Sequence, residues 1–196
     1  NKQTNVRLDN KYTVLDISSL TGDLLTVGMF VALDFVWDRA KADRTEEKAI
    51  FIDETWQLIG ASSNRLAAEF VLEIFKIIRG YGGSAICATQ DLNDFFALDD
   101  GKYGKGIINN SKTKIILNLE DEEAMRVQSI LHLSEAETMA ITHFERGNAL
   151  ISTNNNNVTV EFKASELEKE LITTDREELK RLLERERQHQ VMSEAV

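Results

Sequence analysis

The chain has 196 residues, of which 42% are hydrophobic and 29% are charged, enough for one globular domain with a core and a small appendage. Its formal net charge of -10 at pH 7 argues against broad neutralisation of DNA phosphates, so direct nucleic-acid binding by these residues is not expected. A single cysteine, Cys87, excludes an internal disulfide framework, and no apolar run approaches the ~20 residues of a membrane-spanning helix.

The first two-thirds of the chain alternates between strand and helix patterns. Short apolar runs predict strands, and apolar residues at helical spacing predict helices between them. The predicted strands are residues 12–17, 49–53, 84–89 and 113–119, and the predicted helices are residues 20–41, 62–79 and a short one around residues 92–96. This alternation is typical of α/β proteins, in which right-handed crossovers build a parallel sheet that is covered on both faces.

After residue 119 the pattern changes to a small appendage. Ser134 and Glu137 have capping-box spacing, and so do Thr174 and Glu177 at the start of the last helix. The predicted elements are helices at 120–131 and 134–144, a β-hairpin of 148–152 and 158–162, and a terminal helix from 174. The division expected from these patterns is a partial core (1–119), helices and a hairpin that complete the domain (120–174), and a C-terminal helix (175–196).

Two adjacent acids end the second predicted strand, in the string AIFIDETWQLI. Asp53 and Glu54 would therefore lie at the carboxyl edge of the sheet, where α/β proteins bind ligands. Nucleotide hydrolysis uses one carboxylate for the Mg²⁺ shell and another to polarise water, which gives Asp53 the first task and Glu54 the second. The same string also fits a strand that merely ends in polar residues.

Two further side chains extend this hypothesis. Gln90 ends the next strand, so its amide would emerge beside Glu54 and could bond a γ-phosphate or the attacking water; an ordinary loop glutamine is the alternative. Arg79 ends the preceding helix, and its guanidinium could act on a neighbouring subunit's nucleotide or simply complement the helix dipole.

The order of these motifs resembles the VirB-four-type ATPases of type IV secretion and conjugation, which belong to the FtsK and HerA superfamily of hexameric motors. The resemblance rests on YTVLDISSL, AIFIDETWQLI, IIRGYGGS, AICATQDLNDFF, GIINNSKTKIILNL and LSEAETMAITHFERGNALI. It implies a RecA-like P-loop ATPase core in which Asp53 and Glu54 are the Walker B acids, Asp53 holding Mg²⁺ through water. Gln90 is then the sensor, and Arg79, or alternatively Arg39, Arg44 or Arg65, acts across the subunit interface.

One family motif is missing from the chain. No G-x-x-x-x-G-K-S/T string is present, and the closest candidate, GKYGKG at 101–106, lacks the hydroxyl residue. We therefore expect a C-terminal fragment without the Walker A region, which would bind ATP and Mg²⁺ tightly only in the intact protein and would be inactive alone.

The resemblance also implies partners and a location. These are a homo-hexamer, the channel and membrane components of a conjugation machine, and the cytoplasmic face of the membrane. A DNA-pumping translocase of the HerA or FtsK kind and a non-catalytic scaffold module are the alternative functions.

The resemblance further implies a sheet order of 5-1-4-3-2 from which the P-loop strand is absent. Residues 12–17, 49–53 and 84–89 should still form a parallel trio. The slot beside residues 84–89 would then be closed by residues 113–119, by residues 1–10, or by a second copy of the chain.

Overall fold

The computed structural model describes residues 10–17, 19–154 and 156–194, and arranges them around two separate β-sheets. The first half alternates helices and strands, and the second half combines a hairpin with helices. The elements are α1 (Asp23–Ala42), β1 (Lys48–Ile52), α2 (Trp56–Ile59), α3 (Arg65–Ile77), β2 (Gly83–Cys87), α4 (Leu92–Phe95), α5 (Lys102–Asn110), β3 (Thr113–Ile116), α6 (Asp121–Leu131), α7 (Glu135–Thr142), β4 (Asn148–Thr153), β5 (Asn156–Glu161), α8 (Glu166–Ile172) and α9 (Arg176–Glu194), with 3₁₀ turns at Ile78–Tyr81 and Leu98–Gly101.

The first sheet consists of β1 and β2, which pair in parallel with Ile50 opposite Ala85. The connection between them runs through α3, whose first turn is capped by the Asn64 side chain accepting the Leu66 N–H at 2.8 Å. The buried stripe of α3 packs against the inner face of the strands and contains Ala67, Ala68, Val71, Leu72, Ile74 and Phe75. This crossover confirms the predicted strand-helix-strand unit and brings the carboxyl ends of both strands to one edge.

The chain leaves α3 through a left-handed residue at Gly82, where φ is 72°. A Cβ atom at Gly82 would lie 2.9 Å from the Arg44 carbonyl oxygen, so this position also requires glycine for close packing.

The second sheet is antiparallel, in the order β3-β4-β5, and packs against α6 and α7. Its core contains Ile116, Ala124, Val127, Leu133, Ile141 and Leu150. Ser134 and Glu137 form the predicted capping box at the start of α7. The helices and the hairpin predicted after residue 119 are therefore confirmed.

One predicted strand is absent, and another belongs to a different sheet from the one expected. Residues 12–17 form no strand, and Tyr12 and Val14 are exposed instead of buried in a sheet. Residues 113–116 do form a strand, but it pairs antiparallel with β4 and does not extend the parallel sheet. Of the expected parallel trio only β1 and β2 pair. Of the three alternatives for closing the open edge of β2, pairing with residues 113–119 is wrong, and residues 1–9 lie outside the described residues.

The parallel pair is also covered on one face only within the described residues. Ile50 and Ile52 face the core, whereas Phe51 is 73% exposed and its partner Ile86 is 39% exposed on the other face. The apolar run at 49–52 therefore predicted the strand correctly. The expectation that both faces of the sheet are buried is wrong for the described residues.

Besides the short helix α2, two helices of the described residues have no counterpart in the sequence prediction. One is α5, whose Gly104 and Gly106 disfavour a helix by propensity. Both glycines serve packing, because a Cβ at Gly104 would lie 2.5 Å from the Phe95 carbonyl oxygen and one at Gly106 would lie 2.7 Å from Leu72 Cδ1. The other is α8, which opens with a capping box of Ser165 and Glu168.

The terminal helix α9 begins slightly later than predicted. Its first turn is capped by Asp175, whose Oδ1 accepts the backbone N–H groups of Glu177 and Glu178 at 3.0 Å. The predicted Thr174–Glu177 capping box is therefore wrong. Within the described residues no helix is long and apolar enough to cross a membrane.

Removing the α7 cap tests the contribution of this helix to the second core. We expect Ser134→Ala to lower the free energy of unfolding by about 1 kcal/mol, because it leaves helix N–H groups of a packed helix without their acceptor. Urea denaturation followed by circular dichroism measures the change. Ser165→Ala is the matched control, since it removes the same motif from α8, which has no buried residue, and should leave the unfolding midpoint unchanged. Equal losses in both variants would contradict this assignment.

Candidate active site

The acid pair, Asp53 and Glu54, lies in a tight turn directly after β1. Ile52, the last residue of the strand, is buried, and the chain then turns so that the Asp53 carboxylate accepts the Glu54 N–H at 2.9 Å. Glu54 has a φ of 48°, in the left-handed region that residues with a Cβ rarely adopt. A strained non-glycine residue held by its surroundings is typical of functional sites.

Thr55 provides the surroundings that hold this turn. It is fully buried, its N–H donates to the Ala88 carbonyl at 3.0 Å, and its hydroxyl donates to the Ile52 carbonyl at 2.9 Å. The Ala88 N–H in turn donates to the Ile52 carbonyl at 3.0 Å. These bonds continue the parallel pairing past the ends of both strands and fix the two following loops against each other.

The loop after β2 delivers Gln90 to the acid pair. Its Nε2 donates to Glu54 Oε1 at 2.8 Å, although the two residues are 36 positions apart in the chain. The next residue, Asp91, caps α4 by accepting the Asp94 N–H at 2.8 Å, so the loop continues into a defined helix. The structure thus brings Glu54 and Gln90 together at the carboxyl edge, as the order of strands predicted.

The hydrogen bond between Trp56 and Glu54 is a contact of this site that the sequence did not predict. The indole Nε1–H donates to Glu54 Oε2. The signal available in the sequence is a strong N–H donor two residues after a carboxylate. It becomes informative only when Glu54 adopts its left-handed backbone conformation, which places the two side chains together.

Arg79 lies at the opposite edge of the parallel pair. It belongs to the 3₁₀ turn that precedes β2, so it is separated from Gln90 by the length of the strand, roughly 13 Å from Gly83 to Cys87. Its side chain is exposed and makes no hydrogen bond or ion pair with any residue in the described part of the chain. A surface depression of about 480 Å³ at this same edge, bordered by Lys48 and Ser84, contains none of the predicted site residues.

The other three arginines considered from the sequence are engaged within the chain. Arg65 pairs with Asp99 at 2.6 Å and Arg39 with Glu46 at 3.9 Å. The Arg44 guanidinium stacks over the Tyr81 ring, 4.5 Å from its centroid. Of the four arginines, Arg79 is the one without such a contact.

The acid pair fits a magnesium ion whose other ligands are phosphate oxygens and water. Asp53 is exposed, and among the described residues its carboxylate accepts only the Glu54 N–H, so it has lone pairs available for an ion or its water shell. In the described ranges no group of three His, Cys, Asp or Glu side chains could hold a metal. Magnesium typically uses one or two carboxylates together with phosphate oxygens and water, which matches this donor set.

A solved structure shares the fold of this chain. The structure of VirB4 of Thermoanaerobacter pseudethanolicus matches with a TM-score of 0.76 and 27% sequence identity, over 83% of this chain and 44% of that one. The chain therefore spans less than half the length of that structure.

More distant matches also occur. The genome packaging NTPase B204 from Sulfolobus turreted icosahedral virus 2, in complexes with ATP-gammaS and with AMP, matches at 16% identity with TM-scores of 0.46 and 0.47, over 67% of this chain and 62% of that one. These likenesses are too distant to carry an argument about this chain. No curated protein sequence matches it.

A parallel strand pair joined through α3, together with the VirB4 likeness, places the chain in the P-loop ATPase class of α/β proteins. The family model of the TraG P-loop domain matches residues 1–196. The chain belongs to the TraG P-loop domain family.

Cys87, which ends β2 beside this site, is predicted to be a poor nucleophile. Burial raises the pKa of its thiol, and the hydrogen bond with Thr55 offsets this only in part. A raised pKa leaves less thiolate at a given pH, so native protein at pH 8 should react with Ellman's reagent more slowly than the same chain unfolded in urea. Absorbance at 412 nm follows the reaction. Equal rates in the two states would show that the thiol is not protected.

Proposed function

We propose that this chain carries the hydrolytic side chains of an ATP-driven motor for type IV secretion, conjugative DNA transfer or pilus assembly. The observation that carries the proposal is the hydrogen bond between Glu54 and Gln90 at the carboxyl edge of β1 and β2, beside Asp53. Membership of the TraG P-loop domain family and the VirB4 likeness support it.

Each side chain has a distinct task in this proposal. Bound ATP and Mg²⁺ would supply the phosphoryl group and neutralise its charge. Asp53 would hold the ion through its water shell, and Glu54 would orient the attacking water and accept its proton. Gln90 already contacts Glu54, so its amide can exchange that bond for a phosphate oxygen and report whether the phosphate is present.

The phosphate-binding half of the site must come from residues other than these 196. The chain contains no Walker A string. At the carboxyl edge that carries the acid pair (the acid edge), the predicted site residues are two carboxylates, which only accept hydrogen bonds, and one amide. Backbone N–H groups and a lysine would be needed to cradle the β- and γ-phosphates. ATP and Mg²⁺ are therefore proposed ligands of the full-length protein, and these residues alone should not hydrolyse ATP.

Oligomerisation would place Arg79 at a neighbouring subunit's nucleotide. Arg79 lies at the opposite edge from its own acid pair, which excludes direct action on its own site without a large rearrangement. An exposed guanidinium without a partner in the described residues is available to a second subunit. A homo-hexamer, as in related motors, would supply that neighbour.

The proposed setting is the cytoplasmic face of a membrane-spanning secretion channel. Channel and membrane components of the conjugation machine would be the partners. The net charge of -10 favours contacts with proteins over a direct grip on DNA by these residues.

Substitution of Glu54 tests the catalytic assignment. In the full-length protein we expect Glu54→Gln to lower kcat for ATP hydrolysis by about 100-fold or more while leaving ATP affinity unchanged, because the amide keeps the shape and loses the basic oxygen. A phosphate-release assay and fluorescent-nucleotide binding measure the two quantities. Glu47→Gln, at the other end of β1, is the matched control and should hydrolyse normally. Normal turnover in Glu54→Gln would exclude Glu54 as the catalytic carboxylate, and no turnover in the unsubstituted protein would favour a scaffold module.

Mixed oligomers test the role of Arg79. We expect Arg79→Ala to lower hydrolysis of the assembled protein, and mixing with Glu54→Gln subunits to restore part of it. Activity recovers because an Arg79→Ala subunit keeps its own Glu54 and receives Arg79 from a neighbouring Glu54→Gln subunit. Steady-state ATPase rates at several mixing ratios, with Arg44→Ala as the control variant, measure the effect. Absence of recovery at every ratio would rule out action across the interface.

A further inference from the structure

Both oxygens of the Glu54 carboxylate are contacted by N–H donors from different parts of the fold. Oε1 accepts the Gln90 amide at 2.8 Å, and Oε2 accepts the Trp56 indole N–H. Gln90 is exposed and lies in a loop, whereas Trp56 is half-buried and packs against the main core. The Gln90 side chain is therefore accessible to a ligand, whereas the Trp56 ring is held by packing against the core.

The position of the indole is set by the short helix α2. Trp56 is its first residue, and the next turn buries Leu58 and Ile59 completely. The preceding residue, Thr55, is also fully buried and bonded to both strands. The backbone that carries the indole therefore lies between residues with no exposed surface, and the ring packs against the main core.

The backbone of Glu54 needs such support. A φ of 48° at a residue with a Cβ is unfavourable and persists only where neighbouring contacts hold it. In this conformation the carboxylate faces back toward the indole and across toward β2. Each carboxylate oxygen has two lone pairs, so an oxygen that accepts the indole N–H still has one for a water molecule.

We propose that Trp56 is a positioning residue, whose indole N–H holds the Glu54 carboxylate in the orientation needed to accept a proton from the attacking water. This role rests on the function proposed above for Glu54. Gln90 is the exchangeable contact, and Trp56 keeps the carboxylate in place when the amide leaves. Positioning of this kind matters because small misplacements of a catalytic group lower the rate strongly.

The contact itself is tested on the 196-residue chain by NMR of the indole N–H groups. The chain has two tryptophans, and Trp37 serves as the internal reference, because it is buried against Tyr81 and away from the acid pair. At fixed pH, Glu54→Gln should move the Trp56 indole proton upfield, because a neutral acceptor forms a weaker hydrogen bond than a carboxylate. The Trp37 signal should stay in place. A Trp56 signal that does not respond to Glu54→Gln would overturn the proposal.

The catalytic consequence is tested in the full-length protein with Trp56→Phe. This variant keeps an aromatic ring for packing and removes the N–H donor. We expect kcat for ATP hydrolysis to fall by between about tenfold and 100-fold with KM for ATP unchanged, the pattern of a contact that acts on the reacting geometry and not on binding. The thermal unfolding midpoint of the variant shows whether the ring still packs.

The outcomes separate this inference from the proposed function. If the unsubstituted full-length protein hydrolyses ATP and Trp56→Phe has the same kcat, Trp56 is not a positioning residue, while the function stands. If Glu54→Gln remains fully active, the proposed function of Glu54 fails, and the role of Trp56 fails with it. An upfield shift together with a selective fall in kcat supports both.

Discussion

The carboxyl ends of β1 and β2 are joined by hydrogen bonds from Thr55 and Ala88, and the candidate site depends on this junction. Thr55 is fully buried and bonds to both strands, so the turn that carries the acid pair cannot move independently of the loop that carries Gln90. The strain at Glu54 is held in place by the same contacts. A threonine with no direct role in chemistry thus determines where two chemically active side chains meet.

The junction is supported by the core beneath it. The buried stripe of α3 covers the inner face of the strands, and α5 packs closely against this layer because Gly104 and Gly106 leave room for it. Arg65 of α3 and Asp99, just before α5, form an ion pair at 2.6 Å on the surface of the same layer, which holds the pKa of the aspartate below its ordinary value. Helix packing therefore fixes the strand pair from one side, and the acid edge stays open.

The two sheets show that an apolar run predicts a strand but does not specify which strand pairs with it. Residues 113–116 fit a parallel strand and an antiparallel one equally well, because burial of alternate side chains does not specify a partner. Their partner, β4, is part of a hairpin whose inner side chains complete a second core with α6 and α7. Residues 12–17 have strand propensity, but in the described structure no neighbouring strand pairs with them, and Tyr12 and Val14 remain exposed while Ile17 packs against the main core.

The sequence by itself determined the unit of β1, α3 and β2, the capping box of α7, and the placement of Asp53, Glu54 and Gln90 at strand ends, because these follow from local periodicity and from the geometry of parallel strands. Tertiary structure alone decided that β3 belongs to the second sheet, that Arg79 lies at the edge opposite the acid pair, and that the Trp56 indole reaches Glu54. The sheet to which β3 belongs depends on which partner strand completes a core. The place of Arg79 and the contact of the Trp56 indole depend on relative positions that the fold sets. The contact with Glu54 also depends on a backbone conformation that its residue type disfavours.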